Sequence, residues 1–329
     1  MFQMGLWKLR LSMAGTLALI IGVSTLFFAF ILNYLGTFSL SSLFILVLMF
    51  NLAQWMFAPY IIEAIYRVKE LPRERFPELH EMVDRLSERS GIKRPKLMVS
   101  NVPIPNAFAY GSPLTGNRIA ITRGLLDTLE LDEVEAVIGH EIGHLKHRDV
   151  QIMMFVSLLP ALFYYLSQSL YYSAFFGGYG RRDEGGVGVA FLIAMVSMVA
   201  YFILNLLVLG LSRLREYYAD AHSVSVVEDG PRKLSVALAK IVTWTGKMKA
   251  TGGISAGSSS FKTLFICDPD RAVEDAAQIS RLGLTGSDAR LVEKILRRRL
   301  TFADRLIELF STHPNIVKRL RALQSFGRT

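Results

Sequence analysis

Three long stretches of the chain contain no charged residue, and strongly polar segments separate them. No Asp, Glu, Lys or Arg occurs in Leu11–Ile62, Val150–Gly180 or Gly185–Ser212. A helix needs about 20 apolar residues to cross a bilayer, so the first stretch is long enough for two crossings, with a turn near Asn33–Phe38. Each of the other stretches is long enough for one crossing. The pattern predicts four membrane spans, at Leu11–Leu35, Leu40–Ile61, Ile152–Phe176 and Val187–Leu211.

The polar segment after the second span has the periodicities of a small α+β domain. After a charged connector at Glu63–Arg75, apolar residues at helical spacing predict a helix over Pro77–Ser90 that ends at Gly91. Short β-type runs separated by turns rich in Pro and Gly then predict a small sheet. These runs are Lys96–Ser100, Ala107–Tyr110 and Arg118–Thr122, and further helices are predicted at Gly124–Thr128, 231–250, Ser287–Arg299 and from Pro314 onward.

The candidate chemistry lies in a helical segment that contains His140-Glu141-Ile142-Gly143-His144. Histidines four residues apart lie on one face of a helix, so their imidazoles can converge on one metal ion. Glu141 can reach a water molecule on that metal without taking a ligand position. Zinc lowers the pKa of such a water to about 7, and the carboxylate accepts its proton as it attacks a peptide carbonyl. The motif predicts a peptidase with one zinc ion per chain.

The helix that carries this motif is predicted to begin near Asp132, with Asp132 as the N-cap and Glu135 as its partner in a capping box. We see no breaker between Val134 and Leu159, so the pattern predicts one helix that continues into the third span. Gly139 and Gly143 form a face of small residues against which another helix can pack closely.

A catalytic zinc needs a third protein ligand and keeps its fourth position for water. The fourth span continues without Pro or Gly into Ser212–Val227, which carries Glu216, our choice for that ligand. Asp220, one turn farther on, suits an acceptor that orients a ligand histidine. Without the upstream motif, the two acids would be read as an ordinary solvated face beside Arg213 and Arg215.

The other histidines are weighed separately. His147 and His222 remain alternative metal ligands, although His147 lies a turn beyond His144 and His222 lies off the face of Glu216. His80 is predicted to be a surface residue of its helix. His313 lies just before the last helix and is a candidate donor for the oxyanion of the reaction.

Composition and charge fit a membrane protein. The chain has 329 residues, 51% of them hydrophobic, and a net charge of +9. Basic residues flanking the spans explain this charge, so no nucleic-acid partner is expected. The loop between the first two spans has no Lys or Arg, although the loop between the last two has Arg181 and Arg182. This bias places both termini and the polar segments in the cytoplasm. The single cysteine, Cys267, excludes an internal disulfide framework, and the Gly/Ser-rich stretch 250–260 is read as a loop.

Taken in order, these elements resemble an HtpX-type membrane zinc metalloprotease, in the gluzincin branch that also holds the CAAX prenyl endopeptidases. The resemblance rests on an N-terminal hairpin, Pro105-Asn106-Ala107-Phe108-Ala109, the His-Glu-x-x-His motif, a second hairpin, Ser212-Arg213-x-x-Glu216-x-x-Ala219-Asp220 and Thr312-His313-Pro314 with Arg319. It covers most of the chain and is weakest over 228–300.

The resemblance implies roles for these residues. His140, His144 and Glu216 would bind zinc, Glu141 would be the general base, and Asp220 would orient a ligand. His313 and Arg319 would stabilise the tetrahedral intermediate, which needs positioned donors. An edge strand would bind an extended substrate through its main chain; it comprises Asn106, Ala107, Phe108 and Ala109. The family implies cleavage of unfolded or damaged membrane proteins at the cytoplasmic side, as membrane quality control.

The predicted fold is a mainly α membrane protein with about four transmembrane helices and a cytoplasmic α+β, zincin-like protease domain that contains a small sheet. The predicted domains are a transmembrane hairpin (1–62), the first part of the protease domain (63–150), a second hairpin (151–211) and the second part of the protease domain (212–329). Two alternatives remain open. One is a CAAX-type prenyl protease, against which the four predicted spans argue, because they are too few to enclose a chamber. The other is a catalytically silent scaffold or chaperone, against which the intact Glu141 argues.

Overall fold

The computed structural model describes residues 40–176, 184–250 and 288–326. The predicted span at Leu11–Leu35, the turn near Asn33–Phe38, the Gly/Ser-rich loop beyond Ala250 and Cys267 lie outside these residues.

The described residues form helices and a short run of strands. The helices are α1 (Leu40–Tyr66), α2 (Pro77–Ser90), α3 (Arg123–Thr128), α4 (Leu131–Lys146), α5 (Asp149–Phe176), α6 (Glu184–Val226), α7 (Gly230–Ala250), α8 (Asp288–Leu296), α9 (Phe302–Leu309) and α10 (Ile316–Phe326). The strands are β1 (Lys69–Glu70), β2 (Lys96–Ser100), β3 (Ala107–Ser112) and β4 (Gly116–Thr122). The sequence did not predict β1, which lies in the charged connector, or α9.

The described part of the chain divides into two units. The first contains 56–150, 212–250 and 288–326, and the second contains 40–55, 151–176 and 184–211. The two units therefore alternate along the sequence, and the first unit combines segments that precede and follow 151–211.

The first unit has a four-stranded sheet in the order β1-β2-β4-β3. The central strands β2 and β4 are parallel, whereas β1 and β3 pair antiparallel to their neighbours. Among the described residues, strand β3 thus lies at one edge of the sheet, with β4 as its one neighbouring strand. An edge of this kind can pair with another extended chain through its outer main-chain groups.

The core of the first unit lies between the sheet and its helices. Helix α4 packs against α2, α7 and strand β3, and α10 packs against α7. Leu86, Ile119, Ile138 and Leu320 are fully buried there. A smaller cluster on the sheet contains Phe108, Tyr110 and Met98 with the last turns of α1. Helix α4 is therefore held rigidly against the edge strand.

Helix α4 begins earlier than the sequence predicts. Its N-cap is Glu130, whose main-chain N–H donates to the Glu133 carboxylate at 3.0 Å. The predicted N-cap, Asp132, lies within the first turn. The prediction was wrong because Glu130 and Glu133 form the same capping-box spacing two residues earlier, and acids are also favoured throughout the first turn of a helix.

The prediction of one continuous helix from α4 into the third span was also wrong. Helix α4 ends at Lys146, His147 is its C-cap, and Arg148 has a φ of +55°. A left-handed residue of this kind interrupts the α-helical hydrogen-bond ladder. Helix α5 then begins at Asp149.

The small-residue face of α4 admits α6 as predicted. A Cβ atom added at Gly143 would lie 3.1 Å from the Cα of Ala219, and one at Gly139 would lie 2.9 Å from a methyl group of Val227. The hydroxyl of Ser223 also donates to the carbonyl of Ala136 at 2.6 Å. The end of α6 therefore lies directly against the motif helix.

Two further predictions need correction. His80 is buried rather than exposed: its Nε2 lies 2.9 Å from the Leu71 carbonyl oxygen, and its Nδ1 lies 2.7 Å from Arg94. Pro314 precedes the last helix instead of lying in its first turn, since Asn315 caps that helix by accepting from Val317 N–H at 2.9 Å. The predicted boundaries of α2 and its left-handed Gly91 are confirmed.

In the second unit, the apolar side chains of α5 and α6 pack together around Phe163 and Leu204. One helix in the described part of the chain, Gly188–Val226, is long and apolar enough to cross a membrane. Its surface exposes large apolar side chains, among them Leu192 and Val199. The predicted spans at Leu40–Ile61 and Ile152–Phe176 are helical, but their crossing of a membrane stays a prediction.

Candidate metal centre

Helix α4 brings His140 and His144 together at its C-terminal half, and α6 places Glu216 against them. The Nε2 atoms of the two histidines lie 3.1 Å apart. The carboxylate oxygens of Glu216 lie 3.5 Å from Nε2 of His144 and 3.7 Å from Nε2 of His140. One potential ligand atom from each residue fits within a group 4.8 Å across.

The Nδ1 side of each histidine faces a carboxylate. Nδ1 of His144 lies 2.6 Å from Oδ2 of Asp149, and Nδ1 of His140 lies 2.9 Å from Oδ1 of Asp220, although off the ideal hydrogen-bond direction. A carboxylate at this position favours the proton on Nδ1 and leaves the Nε2 lone pair free. Both lone pairs therefore point into the space beside Glu216.

This space fits a metal cation. Two Nε2 lone pairs and a carboxylate meet there. All of these are hydrogen-bond acceptors, so a cation between them would stabilise the arrangement. Among the described residues, Oε2 of Glu216 has no hydrogen-bond partner of normal geometry. Nitrogen ligands of a tetrahedral zinc at about 2.0–2.1 Å would lie about 3.3 Å from each other. The observed separations agree with a His₂Glu set, which is typical of catalytic zinc.

Buried arginines hold the outer carboxylates. Arg319 donates through Nε and Nη2 to Asp220 at 2.9 and 2.6 Å, and its Nη1 lies 3.1 Å from Oε2 of Glu216. Arg215 forms an ion pair with Asp149, its Nε lying 2.9 Å from Oδ1 but off the ideal hydrogen-bond direction. Each ligand histidine thus contacts a carboxylate through its Nδ1 side, and each of these carboxylates contacts a guanidinium.

The motif glutamate lies beside the edge strand. Oε2 of Glu141 accepts the main-chain N–H of Ala109 at 2.8 Å. Burial raises the pKa of the Glu141 carboxyl to about 7, although the positive groups nearby and the Ala109 N–H oppose the shift. Burial also lowers the pKa of His140, so its imidazole is neutral and able to bind metal. A buried carboxylate with a raised pKa at the edge of a strand suits proton transfer.

The predicted edge strand corresponds to β3, which begins at Ala107. The main-chain N–H of Asn106 donates to Thr122 Oγ1 at 2.8 Å, which fixes the start of the strand. Phe108 points to the opposite side of the sheet, where its ring packs on Tyr66 and Tyr110. The strand contacts Glu141 through the main-chain N–H of Ala109.

His313 also reaches the site. It is buried in the turn between α9 and α10, and its Nε2 lies 3.8 Å from Oε1 of Glu216. The Oγ1 atom of Thr312 lies 2.9 Å from its Nδ1. The structure therefore brings His313 to the metal ligands, whereas the guanidinium of Arg319 lies behind them on Asp220 and Glu216.

The two alternative histidines lie apart from the ligand set. His222 Nε2 lies 2.9 Å from Ser90 Oγ, and its ring meets that of His147 edge to face at 5.7 Å. His147 also packs on Tyr218, with ring centroids 4.0 Å apart. Within the described residues, the group able to hold a metal contains only His140, His144 and Glu216.

Sequence reasoning missed Asp149 and Arg215 as parts of the site. On one continuous helix, Asp149 would lie about 140° around from His144, since each residue turns the helix by about 100°. The break at Arg148 brings Asp149 to the ligand. The signal was the His144-x₄-Asp149 spacing, which gains meaning only if the helix ends between the two residues.

A helix with the His-Glu-x-x-His motif, a third carboxylate from a neighbouring helix and an adjacent edge strand define a metallopeptidase of the gluzincin type. Comparison with known proteins agrees. The model of peptidase family M48 matches residues 73–326. The chain therefore belongs to peptidase family M48 and is a metalloprotease, a hydrolase of peptide bonds.

Relatives and a solved structure extend this match. The chain is 38% identical to a protease HtpX homolog of Thermoplasma volcanium over 96% of this chain and 94% of that protein. It is 37% identical to a protease HtpX homolog of Aeropyrum pernix, over 95% and 94%. The crystal structure of Ste24p from S. mikatae is similar in fold, with a TM-score of 0.51 at 20% identity, over 97% of this chain and 67% of that one.

Proposed function

We propose that this HtpX-type protease is a zinc-dependent endopeptidase of the cell membrane that cleaves unfolded or damaged membrane proteins at the cytoplasmic side. One observation carries the proposal: His140, His144 and Glu216 converge on one point, and Glu141 of the same motif contacts the outer edge of β3. This arrangement joins a metal site, a base and a binding edge for an extended peptide.

His140, His144 and Glu216 would hold one zinc ion per chain. Zinc bound there polarises the scissile carbonyl and acidifies a water molecule. Asp149 and Asp220 keep the Nδ1 protons of the two histidines in place and so direct both Nε2 lone pairs inward. Arg215 and Arg319 fix those acids in turn.

Glu141 is the proton carrier of the proposed mechanism. Its carboxylate takes a proton from the attacking water and delivers it to the leaving nitrogen of the peptide. In the structure, its Oε2 is bound to Ala109 N–H, so the base lies directly beside the strand on which the substrate is proposed to bind. This contact keeps the carboxylate oriented before substrate arrives.

Strand β3 is proposed to bind the substrate by strand addition. The N–H of Ala109 donates to Glu141, which shows that it points away from β4. Main-chain groups alternate in direction along a strand, so those of Ala107 also face outward. An extended peptide can add there with little regard to its side chains, which suits unfolded substrates.

His313 is the proposed donor to the oxyanion that forms when the carbonyl is attacked. Its Nε2 is already near the ligand carboxylate of Glu216. Arg319 has a different position, since its guanidinium is bound to Asp220 and Glu216. We assign Arg319 the role of holding these two carboxylates, and through them His140.

The membrane location rests on the apolar helix Gly188–Val226 and on the charge bias of the sequence. Side chains along this helix, such as Leu192, Val199 and Phe202, are half or more exposed to the surroundings. Apolar exposure on this scale suits contact with lipid. The proposed partners are accordingly the bilayer and membrane-protein substrates, with no nucleic acid.

Digestion of casein by the detergent-purified protein tests the proposal. Wild type, Glu141→Gln and Glu216→Ala are compared, each with added Zn²⁺ and with a chelator, and bound zinc is measured in parallel. Glu141→Gln should bind zinc but lose cleavage, because only the proton carrier is removed. Glu216→Ala should lose zinc as well as cleavage.

Each other outcome has a definite meaning. Cleavage by Glu141→Gln would remove Glu141 from its role, and normal zinc binding by Glu216→Ala would remove Glu216 from the ligand set. Wild-type protein that binds zinc but cleaves neither casein nor a membrane substrate would instead support a silent scaffold. Wild-type protein without zinc would exclude the proposed centre.

A further inference from the structure

Helix α9 (Phe302–Leu309) buries its acidic residues and exposes its apolar ones. Its acidic residues, Asp304 and Glu308, are each only 7% exposed. Its large apolar residues face outward instead: Phe302 is 75% exposed, Leu306 43% and Leu309 46%. A helix on the surface of a water-soluble domain normally has the opposite arrangement.

The inward acids explain how the helix is fixed in this orientation. Asp304 accepts from the Thr301 N–H at 2.9 Å and from Arg298 at 2.8 Å. Glu308 accepts the Asn315 N–H at 3.2 Å and pairs with Lys318. Because both acids are satisfied inside the protein, the helix cannot rotate to bury its apolar face without breaking these bonds.

The C-terminal end of α9 is hydrogen-bonded to Arg213 of α6, the helix of membrane length. Arg213 is the first charged residue after the charge-free stretch Gly185–Ser212. Its Nη1 donates to the carbonyl oxygens of Glu308, Leu309 and Ser311 at 2.8, 3.1 and 2.7 Å. The C-terminal end of α9 is therefore bonded to the residue at which the apolar run ends. In a membrane, that residue lies at the boundary between hydrocarbon and water.

Exposed basic side chains accompany the apolar face in the sequence. Arg305 lies on α9 itself and Arg299 shortly before it, and both are exposed. Arg297 is 77% exposed and pairs with Glu293 on α8 at 2.6 Å. An interfacial helix typically combines an exposed apolar face with Arg or Lys that meet anionic headgroups. The same helix leads directly into the turn that carries His313.

From these observations we infer that α9 is a membrane-interface helix, whose Phe302, Leu306 and Leu309 side chains enter the headgroup region of an anionic bilayer beside the active-site turn. The inference rests on the proposed membrane location of the protease. It places His313 and the metal ligands close to the lipid surface, where a segment leaving the bilayer would first meet them.

A lipid surface fits this face better than a second copy of the chain does. The apolar residues lie on a single short helix, which is a small area for a stable protein interface. The face is also accompanied by exposed arginines in the sequence, and its supporting helix end is bonded to the end of an apolar run of membrane length. Lipid headgroups satisfy all three features together.

Lipid quenching of a fluorescent label tests the inference on the full chain. Cys267 is replaced by Ser, and a single cysteine is introduced by Phe302→Cys or Leu306→Cys for labelling with an environment-sensitive dye. Asp127→Cys, at a side chain that is 65% exposed elsewhere on the same unit, is the matched control. Each protein is placed in nanodiscs of phosphatidylcholine and phosphatidylglycerol, with or without lipids brominated near the headgroup end of their chains.

The labels at 302 and 306 should shift their emission to shorter wavelength in nanodiscs and lose intensity with brominated lipid, whereas the label at 127 should do neither. Labels at 302 and 306 that behave like the control would overturn the inference. A blue shift that appears in detergent, rises with protein concentration and resists brominated lipid would also overturn it, in favour of a second copy. The use of two label sites guards against a local disturbance at either one.

The fluorescence measurements need neither zinc nor turnover, so their outcome does not depend on the outcome of the casein assay.

A double variant, Phe302→Gln with Leu306→Gln, tests the effect of α9 on proteolysis. It should cleave casein in detergent like wild type but cleave a membrane-anchored substrate in nanodiscs more slowly. Equal loss on both substrates would indicate a general defect in the protease and would contradict a specific role of α9 at the membrane.

Discussion

At the scale of single residues, the centre is built from two parallel chains of contacts. His140 is followed by Asp220 and Arg319, and His144 by Asp149 and Arg215. Outer contacts of this kind fix the tautomer and orientation of ligand histidines, and their loss typically costs about 10–100-fold in metal affinity. Asp149 should therefore matter as much for metal binding as Asp220.

We expect Asp149→Ala to lower zinc affinity by about 10–100-fold, because His144 loses the acceptor that holds its Nδ1 proton. Competition with a chromophoric chelator measures this affinity. Asp127→Ala, which removes an exposed acid that pairs with Arg123 at 3.7 Å, is the control and should not change it. Unchanged zinc affinity in Asp149→Ala would show that the 2.6 Å contact does not orient the ligand.

The residues with a chemical signature could be predicted from the sequence, and those defined by local geometry could not. His140, Glu141, His144 and Glu216 were proposed from spacing and ligand chemistry, and the structure brings them together. His80 was wrongly placed on the surface, because hydrophobic periodicity does not reveal that Leu71 and Arg94 satisfy a buried imidazole. Asp149 was missed because a single left-handed residue determines its direction.

At the scale of elements, the site depends on the close approach of α4 and α6. Gly143 has no side chain, and the Cα of Ala219 would lie only 3.1 Å from a Cβ placed there. Because Ala219 is in the same turns of α6 as Glu216, a larger residue at 143 must push the third ligand away from the histidines. The spacing of Gly139 and Gly143 predicts this helix-packing face from the sequence.

Gly143→Val should destabilise the protein by about 1–3 kcal/mol, as expected for overpacking, and should weaken zinc binding. Gly188→Val is the matched control, since no atom of the described residues lies within 4 Å of a Cβ at that position. The fraction of protein that stays soluble after heating in detergent reports stability, and chelator competition reports zinc affinity. If Gly143→Val matched the control in both measurements, close packing of the helices would not position Glu216.

The strands and most helices followed from periodicity, whereas helix ends did not. The runs assigned to β2, β3 and β4 are strands in the structure, and Pro77–Ser90 is a helix with the expected bounds. The break at His147–Arg148 carries no Pro or Gly signal. It is stabilised by the contact of Asp149 with the nearby His144 and by its ion pair with Arg215, which lies far away in the sequence and leaves no local pattern.

At the scale of the whole molecule, the sidedness of the protease domain determines which substrates can reach it. The sequence carries a positive bias after the second and fourth predicted spans, where Arg67, Arg73, Arg213 and Arg215 occur. Basic residues near span ends are retained in the cytoplasm. The predicted loop near Asn33–Phe38, which has no Lys or Arg, should then lie on the opposite side.

Reporter fusions in a bacterial host measure this topology. Green fluorescent protein fused after Thr329 should fluoresce, and alkaline phosphatase fused there should be inactive, because the first needs the cytoplasm and the second needs an oxidising compartment. Alkaline phosphatase fused after Gly36 should be active and serves as the internal control. Active phosphatase after Thr329, with an inactive fusion after Gly36, would invert the topology and place His140 and Glu141 outside the cytoplasm. The protease would then meet exported proteins, and its proposed cytoplasmic substrates would be excluded even if its zinc chemistry were unchanged.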